Sequence, residues 1–280
     1  WILGFLFWIA GPMLFSLVLV FTDWKILSTP TFIGFGNLVT LVHDKFVAIA
    51  LFNTAYYTLI HVPLNLIVAL GLAMLLNQRV RAMGWFRTLF YLPSVTPTVA
   101  YVVVWIWILN PDYGLLNLLL RQIGIHGPNW LGDPDWSKPS LILLNLWGFG
   151  SVALVFLAAL QGVPETLYEA AALDGAGRWA KFRHVTLAMI SPAILFNLVI
   201  GIINSFQIFT AAFVATNGGP VNSTLFLVLY LYNAGFRNFQ MGYASTIAWL
   251  LFLIVLALTG IQFVGSRRWV FYESGAEGRR

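Results

Sequence analysis

Few side chains in this sequence are equipped for covalent chemistry. It has no cysteine, which removes disulfide and thiol chemistry together. No Lys precedes a Ser or Thr, so the GxxxxGK[ST] loop that cradles nucleotide phosphates is absent. What remains is one dense polar stretch, PETLYEAAALDGAGRWAKFRHVTLA, over 164–188. It carries Glu165, Glu169 and Asp174, followed by Arg178, Lys181 and Arg183. The chemistry open to such a stretch is polar docking. Its spacing predicts a short helix, a glycine turn and a second helix. Pro164 suits a first helical position, where its missing N–H costs nothing. Glu165 and Glu169 favour an early turn, near the positive end of the helix dipole. Gly175 and Gly177 then end the helix, because glycine tolerates positive φ. Leu167, Ala170, Ala171 and Leu173 form a narrow, flat face, the shape of a knob that sits in a partner's groove.

The elements around this knob are membrane spans. Apolar residues make up 60% of the chain and charged ones only 9%, against about 25% charge in a soluble domain; the mean hydropathy is +0.84. The net charge of +5 forms no basic block and is no signal for nucleic acid. Apolar runs long enough for ~30 Å of hydrocarbon fall at about 1–22, 48–76, 88–109, 139–161, 187–212 and 243–265, with the coupling stretch at 162–186 and a tail at 269–280. Pro93, Pro97 and Pro192 are expected to kink their helices. Residues 37–46 suggest a short surface helix, and 224–240 an interfacial or re-entrant segment. The chain opens on Trp1 without a Met, so an upstream start is expected.

Six crossings put both termini on one side. Arg79, Arg81 and Arg87, the knob's cations, and Arg267, Arg268, Arg279 and Arg280 share that side; Lys25, Lys45, Arg121, Lys138 and Arg237 are spread over longer loops opposite. The positive-inside rule therefore predicts a cytoplasmic knob and cytoplasmic termini. Within the bounds given, no span carries Asp, Glu, Lys or Arg, whereas proton-driven carriers use buried ionisable groups. His61 is expected to be an interhelical hydrogen-bonding residue. Coupling to sodium through neutral oxygens stays open.

The knob also carries a resemblance. Glu169, Ala170, Ala171 and Gly175, then Val185 and Leu187, stand in the register EAA, three residues, G, nine residues, I-x-L-P, with Ala188 replacing the Pro. This resembles the coupling loop of ABC-importer permeases. FIGFGNLVTL (32–41), YLPSVTPTVAYVVVWIWILNPDYGLLN (91–117), TNGGP (216–220) and MGYASTIAWLLFLIVLALTGIQF (241–263) look like the branch related to maltose and glycerol-phosphate permeases. The resemblance implies an all-α permease fold of the type I importers, with six transmembrane helices and a cytoplasmic coupling helix. It further implies a bacterial or archaeal inner membrane, a heterodimer with a second permease subunit, two ATP-binding subunits and an extracytoplasmic solute-binding protein that delivers a carbohydrate. In this reading Glu169, Ala170, Ala171, Asp174, Gly175 and Arg178 transmit ATPase motion, with Lys181 as a further polar anchor. The chain itself is then a transporter subunit, not an enzyme, and needs no cofactor.

A sugar needs amides and hydroxyls beside aromatic rings. Gly201, Asn204, Ser205 and Ile208 share one helical face and match the part of the fifth core span that touches sugar in maltose-type permeases. Asn145, Gly148 and Ser151 are the comparable candidates on the fourth span. The same residue types commonly mediate helix packing in membranes. Trp24, Trp85, Trp130, Trp136 and Trp269 fit an interfacial belt; Trp105, Trp107 and Trp147 lie deeper, where core packing competes with sugar stacking. A permease for another solute, or a carrier working alone, remains open at this point.

Overall fold

The computed structural model describes residues 1–26, 28–78 and 81–271. Arg79, Arg279, Arg280 and most of the tail fall outside those residues. Among the described residues the regular structure is helical apart from a two-residue-per-strand hairpin, Thr22–Asp23 with Thr31–Phe32, and an isolated bridge between Lys25 and Gln240. Four helices are each long and apolar enough to cross a membrane: Ile2–Leu19, Lys45–Leu76, Ser191–Ala215 and Met241–Ser266. Two bent pairs pass the same test jointly, Met83–Val95 with Thr98–Ile108 and Pro134–Leu146 with Gly150–Gln161, giving up to six spans among the described residues.

The breaks follow from local chemistry. Thr96 precedes Pro97 and is extended, at φ −72° and ψ 132°, as a residue before proline prefers. Further on, Ile190 leaves helical geometry, and the next helix opens at Ser191 with Pro192 in its first turn. One boundary differs from expectation in a way that matters. The fourth span starts at Pro134, not 139, because Asp133 Oδ1 accepts the Asp135 N–H at 2.9 Å and Pro134 suits a first helical position. Asp135 and Lys138 thereby join the helix, so this span is not free of charge.

The chain divides into two compact units. The first comprises Trp1–Thr58, Thr98–Ile142 and Asn204–Leu256. Its core includes the segment predicted to be interfacial or re-entrant. Phe226, Leu227 and Leu229 are fully buried, and the Leu227–Tyr232 helix is too short to cross. Asn53 and Thr54 hold it: Asn53 Nδ2 donates to the Asn222 and Leu225 carbonyls at 2.8 and 3.1 Å, and Thr54 Oγ1 accepts the Leu227 N–H at 3.0 Å. Those two polar groups of the second span are thus structural. The short surface helix appears as Gly36–His43, with Asn37 Nδ2 donating to the Val20 and Thr22 carbonyls at 2.9 Å. Gly242 permits the close approach of Met241–Ser266, since a Cβ there would collide with the Thr22 carbonyl oxygen. Asp44 caps the Lys45–Leu76 helix through the Phe46 N–H at 2.8 Å and accepts from the Tyr230 and Tyr243 hydroxyls. Burial pushes its carboxyl up, but these hydrogen bonds outweigh burial and hold it below the usual range.

The second unit comprises Leu59–Pro97, Leu143–Ile203 and Ala257–Arg280. Ala69, Leu72, Ala73 and Leu76 of one helix meet Ala153, Phe156, Leu157 and Leu160 of another, with Val163 and Ile190 closing the cluster. Small residues let membrane helices approach closely, and dispersion contacts supply the cohesion that lipid cannot. This cluster is the base on which the knob stands.

Candidate functional site

The knob is a helix over Glu165–Leu173. Pro164 stands one position earlier than expected, at the N-cap, in extended geometry. The helix stops by backbone hydrogen bonding alone. The Ala176 N–H reaches the Ala171 carbonyl at 2.9 Å and the Gly175 N–H reaches the Ala172 carbonyl at 3.0 Å, the paired bonds of a Schellman motif. Such a motif needs a left-handed residue after the cap, and Gly175 provides it at φ +78°. Gly177 plays a different part. Its φ is −69°, and it is the N-cap of the helix that begins at Arg178. The expectation that both glycines end the first helix is corrected accordingly.

The sequence missed how the knob is fastened. Tyr168 and Val163 pack onto the second unit's core, and the Tyr168 hydroxyl hydrogen-bonds Thr186 Oγ1 at 3.0 Å. Spacing alone gave Tyr168 no signal, because one inward tyrosine among exposed neighbours makes no stripe. The expected flat face is also redistributed. Ala171 is half-buried, while Glu165, Glu169, Ala170, Asp174 and Arg178 are exposed. Leu173 is 90% exposed and Trp179 70%. Val185 and Leu187 pack against the same core, and residues 182–186 form a π-helical turn, a feature frequent at functional sites. A cleft of about 610 Å³ beside the base is lined by Arg87, Gln161, Glu165 and Tyr168 among others. Arg87 Nη2 donates to the Leu76 carbonyl at 3.3 Å, placing a cation at a helix C-terminus.

The neutral polar candidates fall at helix interruptions. In the first unit, Asn204 is exposed, Ser205 is buried, and the helix lapses over residues 207–209, where Ile208 lies buried. Gly201 belongs to the second unit, where a Cβ would meet Val62 Cγ1 at 3.2 Å; it is a packing position. Ile208 therefore does not continue the helical face that spacing assigned to it. On the fourth span, Gly148 lies in the non-helical turn between Leu146 and Gly150, with Asn145 just before it and Ser151, exposed, just after. His61 hydrogen-bonds the Asn145 backbone, in keeping with an interhelical role. Trp107 and Trp147 are exposed rather than packed in a core.

Interrupted membrane helices with neutral polar groups at the breaks are the layout of a transport permease, where unwound backbone lines a path. The chain belongs to the family of binding-protein-dependent transport system inner membrane components, whose model matches residues 65–270. It is 41% identical over 281 residues to the probable ABC transporter permease protein YesP of Bacillus subtilis strain 168, covering 99% of this chain and 91% of that protein. It is 39% identical to the lactose transport system permease protein LacF of Rhizobium radiobacter, covering 84% and 81%. Among solved structures, it superposes with a TM-score of 0.83 and 26% identity on a chain of a bacterial alginate ABC transporter in complex with an alginate pentasaccharide-bound periplasmic protein, covering 95% of this chain and 91% of that one. The protein is thus a multi-pass ABC-importer permease subunit.

Proposed function

We propose that this permease forms half of an ATP-driven path for a carbohydrate or related polyol. It pairs with a second permease, receives its solute from an extracytoplasmic binding protein, and is worked by two ATP-binding subunits seated on the cytoplasmic side. The observation that carries this reading is the exposed, Schellman-capped helix at Glu165–Leu173, anchored by Tyr168 to the second unit's core. A lever needs an exposed grip and a stiff root, and this segment has both. Rigid-body motion of a seated ATPase would pass through Tyr168 into the packed helices behind it. Glu169, Ala170, Ala171, Asp174, Gly175 and Arg178 form the grip, with Lys181 behind them.

The cytoplasmic orientation rests on Arg81, Arg87, Arg178, Lys181, Arg183, Arg267 and Arg268, which sit beside the spans that this side shares. A carbohydrate is favoured by the relative named for lactose and by the neutral polar residues at the helix breaks. Among these, Asn204 is the best-placed contact: it is exposed, one turn before the break, and its amide can donate to and accept from hydroxyls. Ser205 follows it in the chain, and Asn145, Gly148 and Ser151, at the break in the fourth span, are separate candidates for the path. The test is uptake by Asn204→Ala, using the ligand recovered from the native binding protein. Uptake should fall roughly 10-fold, as for the loss of one or two hydrogen bonds, with ATPase recovery unchanged. Wild-type uptake by this variant would remove Asn204 from the path.

A further inference from the structure

Lys138 lies in the second turn of the Pro134–Leu146 helix, half-buried, in the first unit. A cation inside a membrane helix is costly and is retained where it has a partner. Its Nζ donates to Asn53 Oδ1 at 3.1 Å. Asn53 is itself fixed, because its Nδ2 is spent on the Asn222 and Leu225 carbonyls. The ammonium also sits 5.4 Å from the Tyr56 ring centroid and 5.8 Å from that of Phe52, within cation–π range. These contacts hold it in place but use one acceptor for three N–H donors. Asp135 acts on it through space and makes no ion pair with it among the described residues.

The surroundings say what completes the set. Phe52 is 65% exposed and Ile49 is exposed with it, on the side of the Lys45–Leu76 helix away from buried Ala50, Asn53, Thr54 and Tyr57. Trp136, also exposed, meets Trp130 edge-on at 5.1 Å. Paired tryptophans at a span end mark the headgroup level of a bilayer. An ammonium at that depth, walled by aromatic rings beside an apolar surface, is complementary to a phosphate that carries acyl chains. We propose that Lys138, held in place by Asn53, Phe52 and Tyr56, binds the phosphate of a membrane phospholipid, with an acyl chain lying against Ile49 and Phe52.

Native mass spectrometry of the full chain in detergent, titrated with phosphatidylglycerol and with diacylglycerol of the same chains, tests this. The wild type should bind phosphatidylglycerol about fivefold more tightly than Lys138→Gln, the increment of one cation at a lipid surface. Lys138→Arg should retain that affinity, and diacylglycerol should bind all three weakly and alike. Equal phosphatidylglycerol binding by wild type and Lys138→Gln would overturn the assignment. Loss of a co-purifying second permease from Lys138→Gln would also overturn it, giving the ammonium to a protein interface. Should Lys138→Gln misfold, the wild type decides alone: no preference for phosphatidylglycerol over diacylglycerol overturns the site.

Discussion

Leu173→Asp is expected to leave the permease in the membrane at its normal level while stripping it of its ATP-binding subunits. Leu173 is 90% exposed, so the isolated chain loses no internal packing when it changes, and surface changes of that kind usually shift stability by less than about 0.5 kcal/mol. At a docking surface the same change removes an apolar anchor and introduces a carboxylate that must be desolvated. Central anchors of that type are worth about 2 kcal/mol or more, roughly a 30-fold loss of affinity. Co-purification with tagged permease and solute uptake should therefore fall together. Leu173 is a cleaner probe than Ala171, which is half-buried and whose carbonyl is engaged by the Ala176 N–H. Full recovery of the ATPase with Leu173→Asp would show that the exposed end of this helix is not the grip.

The second large effect concerns Gly175. A Cβ built there meets nothing within 4 Å, so substitution brings no collision. The whole penalty comes from the backbone, held at φ +78°, where a β-branched residue is a strong outlier. Gly175→Val should cost about 1–3 kcal/mol of local strain, which the turn would relieve by giving up the bonds to Ala171 and Ala172. The knob would then lose its fixed tip, and transport should drop about 10-fold or more while insertion persists. Gly175→Asn separates backbone from side-chain causes, because asparagine tolerates left-handed geometry and should keep most of the transport. If Val and Asn were equally harmful, the turn's handedness would not be the reason for the glycine.

How far the sequence could be read depended on the kind of signal. The knob was legible because its signals are local: a proline, two early acids and a glycine at a helix end act through neighbours in the chain. Even there, Gly175 and Gly177 look alike in sequence, and only the hydrogen bonds separate a left-handed cap from an N-cap. Tyr168 was illegible because its role depends on Thr186 and a core assembled from distant helices. The apolar runs announced membrane spans, yet the buried segment around Phe226 and Leu227 has the same apolar composition. Asn53 and Thr54, which satisfy its backbone, lie about 170 residues away, beyond any local pattern. The fourth span's start was misplaced for the opposite reason: Lys138 and Asp135 look like loop residues until Asp133 is seen to cap the helix. Ile208 carried the right spacing for a face with Gly201 and Asn204, but the helix breaks after Phe206 and takes it off that face, while Gly201 stays on it and lies close against Val62.

A helix at Glu165–Leu173 that protrudes into the cytoplasm and is seated in an ATP-binding subunit must be reachable from one side only, and shielded by that subunit. The chain has no cysteine, so Leu173→Cys supplies a single thiol for one decisive measurement: labelling with a membrane-impermeant thiol reagent in intact cells and in inverted vesicles, with and without the ATPase bound. No labelling is expected in intact cells, with labelling in inverted vesicles stripped of ATPase and protection when the ATPase is restored. Labelling of intact cells, or labelling of vesicles that the ATPase leaves unchanged, would contradict the coupling role of this helix.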